Sequence, residues 1–409
     1  LDEKEHPPLV PILYRYISKE VAVPFLIALG VFTALLFLAK SMKLLELVVS
    51  RDISIFSILK IFALIIPQFL ELAFPMAFLL GLILAFGRLS GDSELIVMRA
   101  SGINLRQVIR PVVACALIVF VFSLTISLSV RPWANTELGR TLFQLAKQRL
   151  SSGLVAGVFN DLGAMTIYAG KVDEGGGRLT DVLIADRRDV KQQRVFIAKY
   201  GQIFSNEASR TLNLKLYNGS IHEGRQKDYN ITSFDSNSVT ISEAELLNEE
   251  GSRDDRKANE MSFPELRKSI KKLRQEKGGQ PDKRLDRMLG RQLVEMHRRF
   301  ALPFSCLAVG LIGVVLGIQP SRGGKSWGLA LNLTVGILVI TLYYFAMAFS
   351  TAMAEQLVLP AWFIMWVPNL IFAVLAYYLY RKMESEQWMA VSQTLVESLE
   401  RVFSRFRAS

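Results

Sequence analysis

Six stretches of this 409-residue chain are each long and apolar enough to cross a bilayer. No other feature limits the fold so strongly, because a hydrocarbon core of ~30 Å takes about 20 apolar residues in helical form. The runs cover about Val21–Ala39, Gln68–Phe86, Val108–Val130, Phe300–Ile318, Leu329–Phe349 and Ala361–Tyr380. Three precede a long polar middle and three follow it. The second is preceded by more apolar sequence, from Ile53, and Pro67 and Pro75 interrupt it. The spacing predicts a short interfacial helix over about Ile53–Ile66, then a span. Leu1–Glu20 lacks the short apolar core and small-residue end of a cleavable signal, so the first run is expected to stay as a span.

Between the two sets, residues 155–245 alternate apolar and polar positions and are rich in β-branched residues. MTIYAGKV, LTDVLIADR, QRVFIAKYGQIF, TLNLKLYNGSI and YNITSF read as short strands, with DEGGG, SNEAS and YNGS as turns. Strands at that spacing predict a small sandwich or jelly roll. A basic stretch, SFPELRKSIKKLRQ, then opens with a helix-start signature: Ser262 as cap, Pro264 in the first turn, Glu265 as capping-box partner. The expected domains are therefore a first membrane half over 1–130, a β domain over 131–260, a basic connector over 261–297, a second membrane half over 298–382 and a terminal amphipathic helix over 383–409.

Charge sets the expected orientation. With the N-terminus in the cytoplasm, Arg15, Lys19, Arg88, Arg99, Arg106, Arg110, Arg322, Lys325, Arg381 and Lys382 all fall inside. The long loop translocates regardless of its charge, which places the β domain outside, in the periplasm of a two-membrane bacterium. The net charge of +11 thus follows from span ends and one loop, with no aromatic-rich nucleic-acid signature. Lys40, Lys43 and Arg51 run against the rule. They either snorkel to headgroups or face an anionic substrate in the outer leaflet. Glu71, inside the second span, is a candidate functional residue on cost alone. The alternative to a functional role is that it pairs with a basic residue of a neighbouring helix or lies near the outer interface. The basic run from Arg267 to Lys277 binds anionic headgroups or forms a solvated face.

Catalytic templates fail. QPSRGGKS (319–326) ends like a nucleotide-binding phosphate loop, but Gln319 stands where glycine is needed, and membrane spans flank it in place of a strand and a helix. A tight inner-side turn is sufficient explanation. HExxH and GxSxG are absent, and three histidines and two cysteines form no metal pattern. The chain is expected to hold no catalytic residue, metal or cofactor.

RLSGDSELIVMRASGINLRQ (88–107) separates the second and third spans. Asp92 or Ser93 can cap a helix there, Glu94 suits its first turn, Gly102 can end it, and Leu95, Val97 and Met98 supply an apolar side. Such a helix is suited to receive force from a soluble motor, or simply lies at the interface.

DSELIVMRASGI, following FPMAFLLGLILAFGRLS, resembles the YjgP/YjgQ permease family, the F and G membrane subunits of the lipopolysaccharide exporter. The likeness continues in EMHRRFALPFSCLAVGLIGVVLGI (295–318), in the Gly-rich basic loop and in WVPNL (366–370). It covers nearly the whole chain, and HRR with WVPNL is closer to the F branch. The resemblance implies an F–G heterodimer over two copies of a cytoplasmic ATPase, with ATP and Mg held by that ATPase. It implies a periplasmic β-jelly roll docking with a bridge protein and its single-span anchor. The short inner helix seats in the ATPase, so Asp92, Glu94, Leu95, Met98 and Arg99 are its expected coupling residues. Lys40, Lys43, Arg51 and Glu71 are expected to meet lipopolysaccharide. Ile167, Val182, Ile184, Phe196, Ile203, Leu214 and Leu216 are expected to line the jelly-roll interior, as a lipid path or as ordinary core. A membrane scaffold with a partner-binding β domain, or an ABC permease for another lipid or a lipoprotein, are the alternative readings.

Overall fold

The computed structural model describes residues 9–49, 54–152, 155–162, 165–173, 178–187, 194–206, 211–224, 229–242, 258–278, 282–318 and 327–384. Six of its helices are long and apolar enough to cross a membrane, and a six-stranded antiparallel sheet is inserted between the third and fourth. The chain divides into two compact units. The first holds residues 1–50, 65–133 and 261–409, and the second holds 51–64 and 134–260.

In chain order α1 (Leu9–Val49) is followed by α2 (Ile55–Gly91), α3 (Glu94–Ala100) and α4 (Leu105–Thr125). A π-helical turn (Ile126–Val130) then leads into α5 (Arg131–Ser152). After the sheet come α6 (Phe263–Lys277), α7 (Lys283–Gly317), α8 (Trp327–Glu355), α9 (Ala361–Ile364) and α10 (Val367–Glu384). The break expected at Pro67 is not there: α2 is one helix of 37 residues containing both Pro67 and Pro75. A proline deletes one donor, and the remaining ladder carries the helix through. The third span likewise continues beyond Val130 into α5.

α2 and α7 are the best-buried spans. Their approach depends on glycines. A Cβ on Gly313 would stand 3.1 Å from the Leu79 carbonyl oxygen, and one on Gly317 would stand 2.5 Å from the Phe86 Cβ. Between lipid-embedded helices, where apolar burial drives little, such close backbone approach supplies the packing energy. Polar side chains fasten the other spans to this pair. The Tyr344 hydroxyl donates to the Leu72 carbonyl at 2.6 Å, and the buried Asn369 amide donates to the Ala301 carbonyl at 2.7 Å while accepting from the Tyr343 hydroxyl at 2.9 Å. Asn369 is the asparagine of WVPNL, so that stretch fixes α10 against α7. α6 begins at its expected cap, with the Ser262–Glu265 box formed, and buries Leu266, Ile270 and Leu273 at helical spacing.

In the second unit β1 (Phe159–Leu162), β2 (Met165–Val172), β3 (Arg178–Asp186), β4 (Arg194–Asn206), β5 (Thr211–Glu223) and β6 (Asn230–Ser242) lie in chain order, each antiparallel to the next. One level of the sheet is exceptional. Gly170, Asp181, Lys199, Asn218 and Asp235 drop out of the ladder pairing, although register is unchanged on either side. These five residues form a crease across β2 to β6. Asp181 and Asn218 adopt left-handed φ of 54° and 53°, which short polar side chains tolerate best. At the crease the core-facing positions step by three residues instead of two: Leu179 to Val182, and Ala198 to Gly201. One apolar cluster therefore collects side chains from both sides of the crease, with Phe143 of α5 among them.

Candidate functional site

Two groups of charged side chains and one apolar surface contain the expected functional positions. The first group lies where α2 turns into α3. Ser93 takes a left-handed φ of 59° to make the turn, and Gly102 at φ 82° ends α3. Glu94 is half-buried because the Tyr16 hydroxyl of α1 donates to it at 2.6 Å. One turn further along α1, Glu20 accepts from Arg88 at 2.6 Å, and Arg88 also reaches Asp92 at 3.4 Å. Tyr16 and Glu20, four residues apart on one face of α1, thus hold both ends of the turn.

The expected apolar side of α3 is split between two faces. Leu95 is 8% exposed and joins the bundle core with Met98 packed beside it, whereas Val97 is 64% exposed. Successive residues lie ~100° apart on a helix, so Val97 falls nearly opposite Leu95. The open face of α3 consists of Ile96, Val97 and Ala100, Leu95 seats the helix from behind, and Arg99, one turn on from Leu95, is exposed beside the seat.

The second group is buried. Glu71 of α2 is fully enclosed; Ser127 donates to it at 2.7 Å and Arg131 Nη1 lies 3.2 Å from its Oε2. The same Nη1 donates to Glu295 of α7 at 3.0 Å, and Glu295 also accepts from Arg299 at 2.9 Å. Two carboxylates and two guanidinium groups from three chain segments make a neutral set. Removing one partner of such a buried pair costs about 3–5 kcal/mol, because the other charge stays behind uncompensated. The set lies roughly 25 Å along α2 from Arg88, at 1.5 Å per residue, and so close to one edge of a ~30 Å core. Glu71 does pair with a cation from another helix, one of the readings open for it, and this does not conflict with a place near an interface.

The π turn explains how Ser127 and Arg131 face inward. The buried residues Val119, Ser123, Ser127 and Arg131 are spaced four apart. In an uninterrupted α-helix three such steps would drift by roughly 120° around the axis. The wider π turn at Ile126–Val130 takes up the drift.

In the sheet, Ile167, Val182, Ile184, Phe196, Leu214 and Leu216 are buried in one cluster, and Ile203, beyond the crease, packs partly against it. Lys40 and Lys43 fall on the backbone of α1, but their side chains lie outside the described residues. Arg51, the 319–326 loop and the expected terminal helix from residue 385 onward also lie outside them. Among the described residues no cluster of His, Cys, Asp or Glu could hold a metal ion. Tyr16, Glu20, Ser127, Arg131, Glu295 and Arg299 were not singled out from sequence. A carboxylate inside a span calls for a cation, and Arg131 directly after the third span was the available signal.

Six membrane-type helices, a sheet inserted between the third and fourth, and a short helix between the second and third define a polytopic permease-type membrane protein. The sequence matches the family of the lipopolysaccharide export system permease LptF/LptG over residues 15–382. The chain belongs to that family. Among its relatives is the lipopolysaccharide export system permease protein LptF of Escherichia coli K12, 22% identical over 89% of this chain and 93% of that protein. The LptF of Shigella flexneri matches equally. An uncharacterised protein of Rickettsia prowazekii is 23% identical over 62% of this chain and 71% of its own length.

Proposed function

We propose that this chain is the F-type membrane subunit of an inner-membrane exporter, paired with a G-type paralogue and driven by a separate ATPase dimer. Both termini lie in the cytoplasm and the sheet lies in the periplasm. The reading is carried by α3: a short helix between two spans, gripped from behind by Tyr16 and Leu95, that offers Ile96 and Val97 outward. An arrangement seated on the bundle and open to solvent can receive force without itself binding nucleotide.

The physical task explains why a motor is needed. Each acyl CH₂ brought into water costs ~0.8 kcal/mol, so exposing several chains costs tens of kcal/mol. The lipid must leave the membrane between apolar surfaces, and the apolar side of the sheet, packed as a core here, supplies one on opening. A bridge protein with its own sheet, held by a single-span anchor, takes the lipid onward. Lys40, Lys43 and Arg51 meet its phosphates at the outer leaflet. Glu71, fully enclosed, is not a lipid contact in this reading.

The test is purification from membranes with mass spectrometry of the bound subunits and lipid. An ATPase, a paralogous permease and lipopolysaccharide are the expected companions. Recovery of the chain alone, or with a periplasmic protein and no ATPase, favours a scaffold. Glu94→Ala is expected to insert normally and to lose at least tenfold in ATP-linked lipid release. Unchanged release would remove α3 from the coupling path.

A further inference from the structure

The buried ionic set plays no part in that mechanism, yet its geometry is specific. α2 and α7 meet through glycines and form the fixed pair of the first unit. α4 rests on that pair through apolar contacts such as Phe120 on Phe304, ring centroids 4.8 Å apart. Apolar surfaces in lipid can slide past each other at little cost, because lipid tails replace what is lost. Arg131 cannot slide. Its contacts with Glu71 and Glu295 are 3.0–3.4 Å long, and a one-turn shift of about 5.4 Å would break them.

Because one carboxylate comes from α2 and the other from α7, Arg131 is fixed along two helices at once. Arg299 neutralises Glu295 from its own helix, so the two carboxylates do not compete for a single cation. The π turn enters the same logic. A π turn is a rare departure from the α ladder, and without it Arg131 would be rotated out of line with Ser123 and Ser127.

We propose that Arg131 is a positioning residue for transport: with Ser127, Glu71 and Glu295 it holds the π turn in place and thereby fixes the register of the third span against α2 and α7 while other spans move. The link to transport rests on the export function proposed above; the link to the π turn does not.

Glu71→Met/Arg131→Met removes one negative and one positive charge and leaves the Glu295–Arg299 pair intact. It separates register from stability, since apolar replacement of a buried ion pair is often neutral or stabilising. In the whole complex in lipid nanodiscs, this variant is expected to assemble with undiminished thermal stability, to release lipid at least tenfold more slowly, and to show Ile126–Val130 rewound as α-helix by electron cryomicroscopy. Lipid release within twofold of wild type overturns the proposal, and so does an intact π turn. Should the double variant fail to assemble, the charge-swapped Glu71→Arg/Arg131→Glu decides. Release well above that of Arg131→Gln supports the pin, and release no better overturns it. If wild type releases no lipopolysaccharide, the export function fails, and the state of the π turn still reports on the pin.

Discussion

The two charged groups of the first unit are both built on arginine–carboxylate pairs and behave as opposites. Around Arg88, carboxylates, a guanidinium and a tyrosine meet at 2.6–3.4 Å with water at hand. Around Arg131, similar distances occur with side chains 5% exposed or less. Solvent can replace any partner lost from the first set, so its contacts are individually weak and free to rearrange. Nothing replaces a partner lost from the second, so it acts as a fixed point. A membrane machine needs both kinds of contact, and here each end of the second span has one.

Arg131→Gln should give the largest effect: a loss of about 3–5 kcal/mol, since Glu71 is left buried with a hydroxyl as its main support. Thermal unfolding in nanodiscs measures it, and a shift no larger than that of a surface variant would put water in this site. Gly317→Ala should come next, at about 1–3 kcal/mol, because its new Cβ would meet the Phe86 Cβ and the backbones must part. Tyr16→Phe should cost about 1 kcal/mol, the net worth of one hydrogen bond. It should also loosen α3, read as faster hydrogen exchange over Glu94–Ala100. If exchange there is unchanged, Leu95 alone seats the helix.

The smallest effect is expected outside the membrane, at the start of α6. The Ser262 hydroxyl and backbone amide both donate to Glu265 and hold its carboxyl below the usual carboxylate range. That contribution is complete above the unfolded-state value and is lost as pH falls through the lowered folded one. Ser262→Ala should cost ~0.5 kcal/mol at neutral pH and nothing once Glu265 is protonated. A pH-independent difference would assign the loss to the hydroxyl's other contacts.

Local pattern made much of the architecture legible. Apolar run length located the spans, alternation located the strands, and Ser262, Pro264 and Glu265 marked the start of α6. Pattern failed wherever a distant partner decides the outcome. Pro67 looked like a break because proline weakens an isolated helix, whereas α2 is continuous through it. Leu95, Val97 and Met98 read as one apolar side because three hydrophobic residues within four positions suggest a face, although at ~100° per residue Val97 falls nearly opposite Leu95; packing decides which of the two is inside. Glu71 was visible as a costly residue, but Arg131 lies 60 positions beyond it and Glu295 a further 164 beyond Arg131. No window of sequence spans such distances.

The crease in the sheet restricts how this chain can change. Each strand that crosses it reverses which residues look inward, and all five do so together. Deleting a single residue between Leu179 and Val182 would turn half of β3 inside out against neighbours that had not followed. Drift in loop length can therefore accumulate at the hairpins, while across the middle of the sheet any gain or loss must occur in five strands at once or not at all.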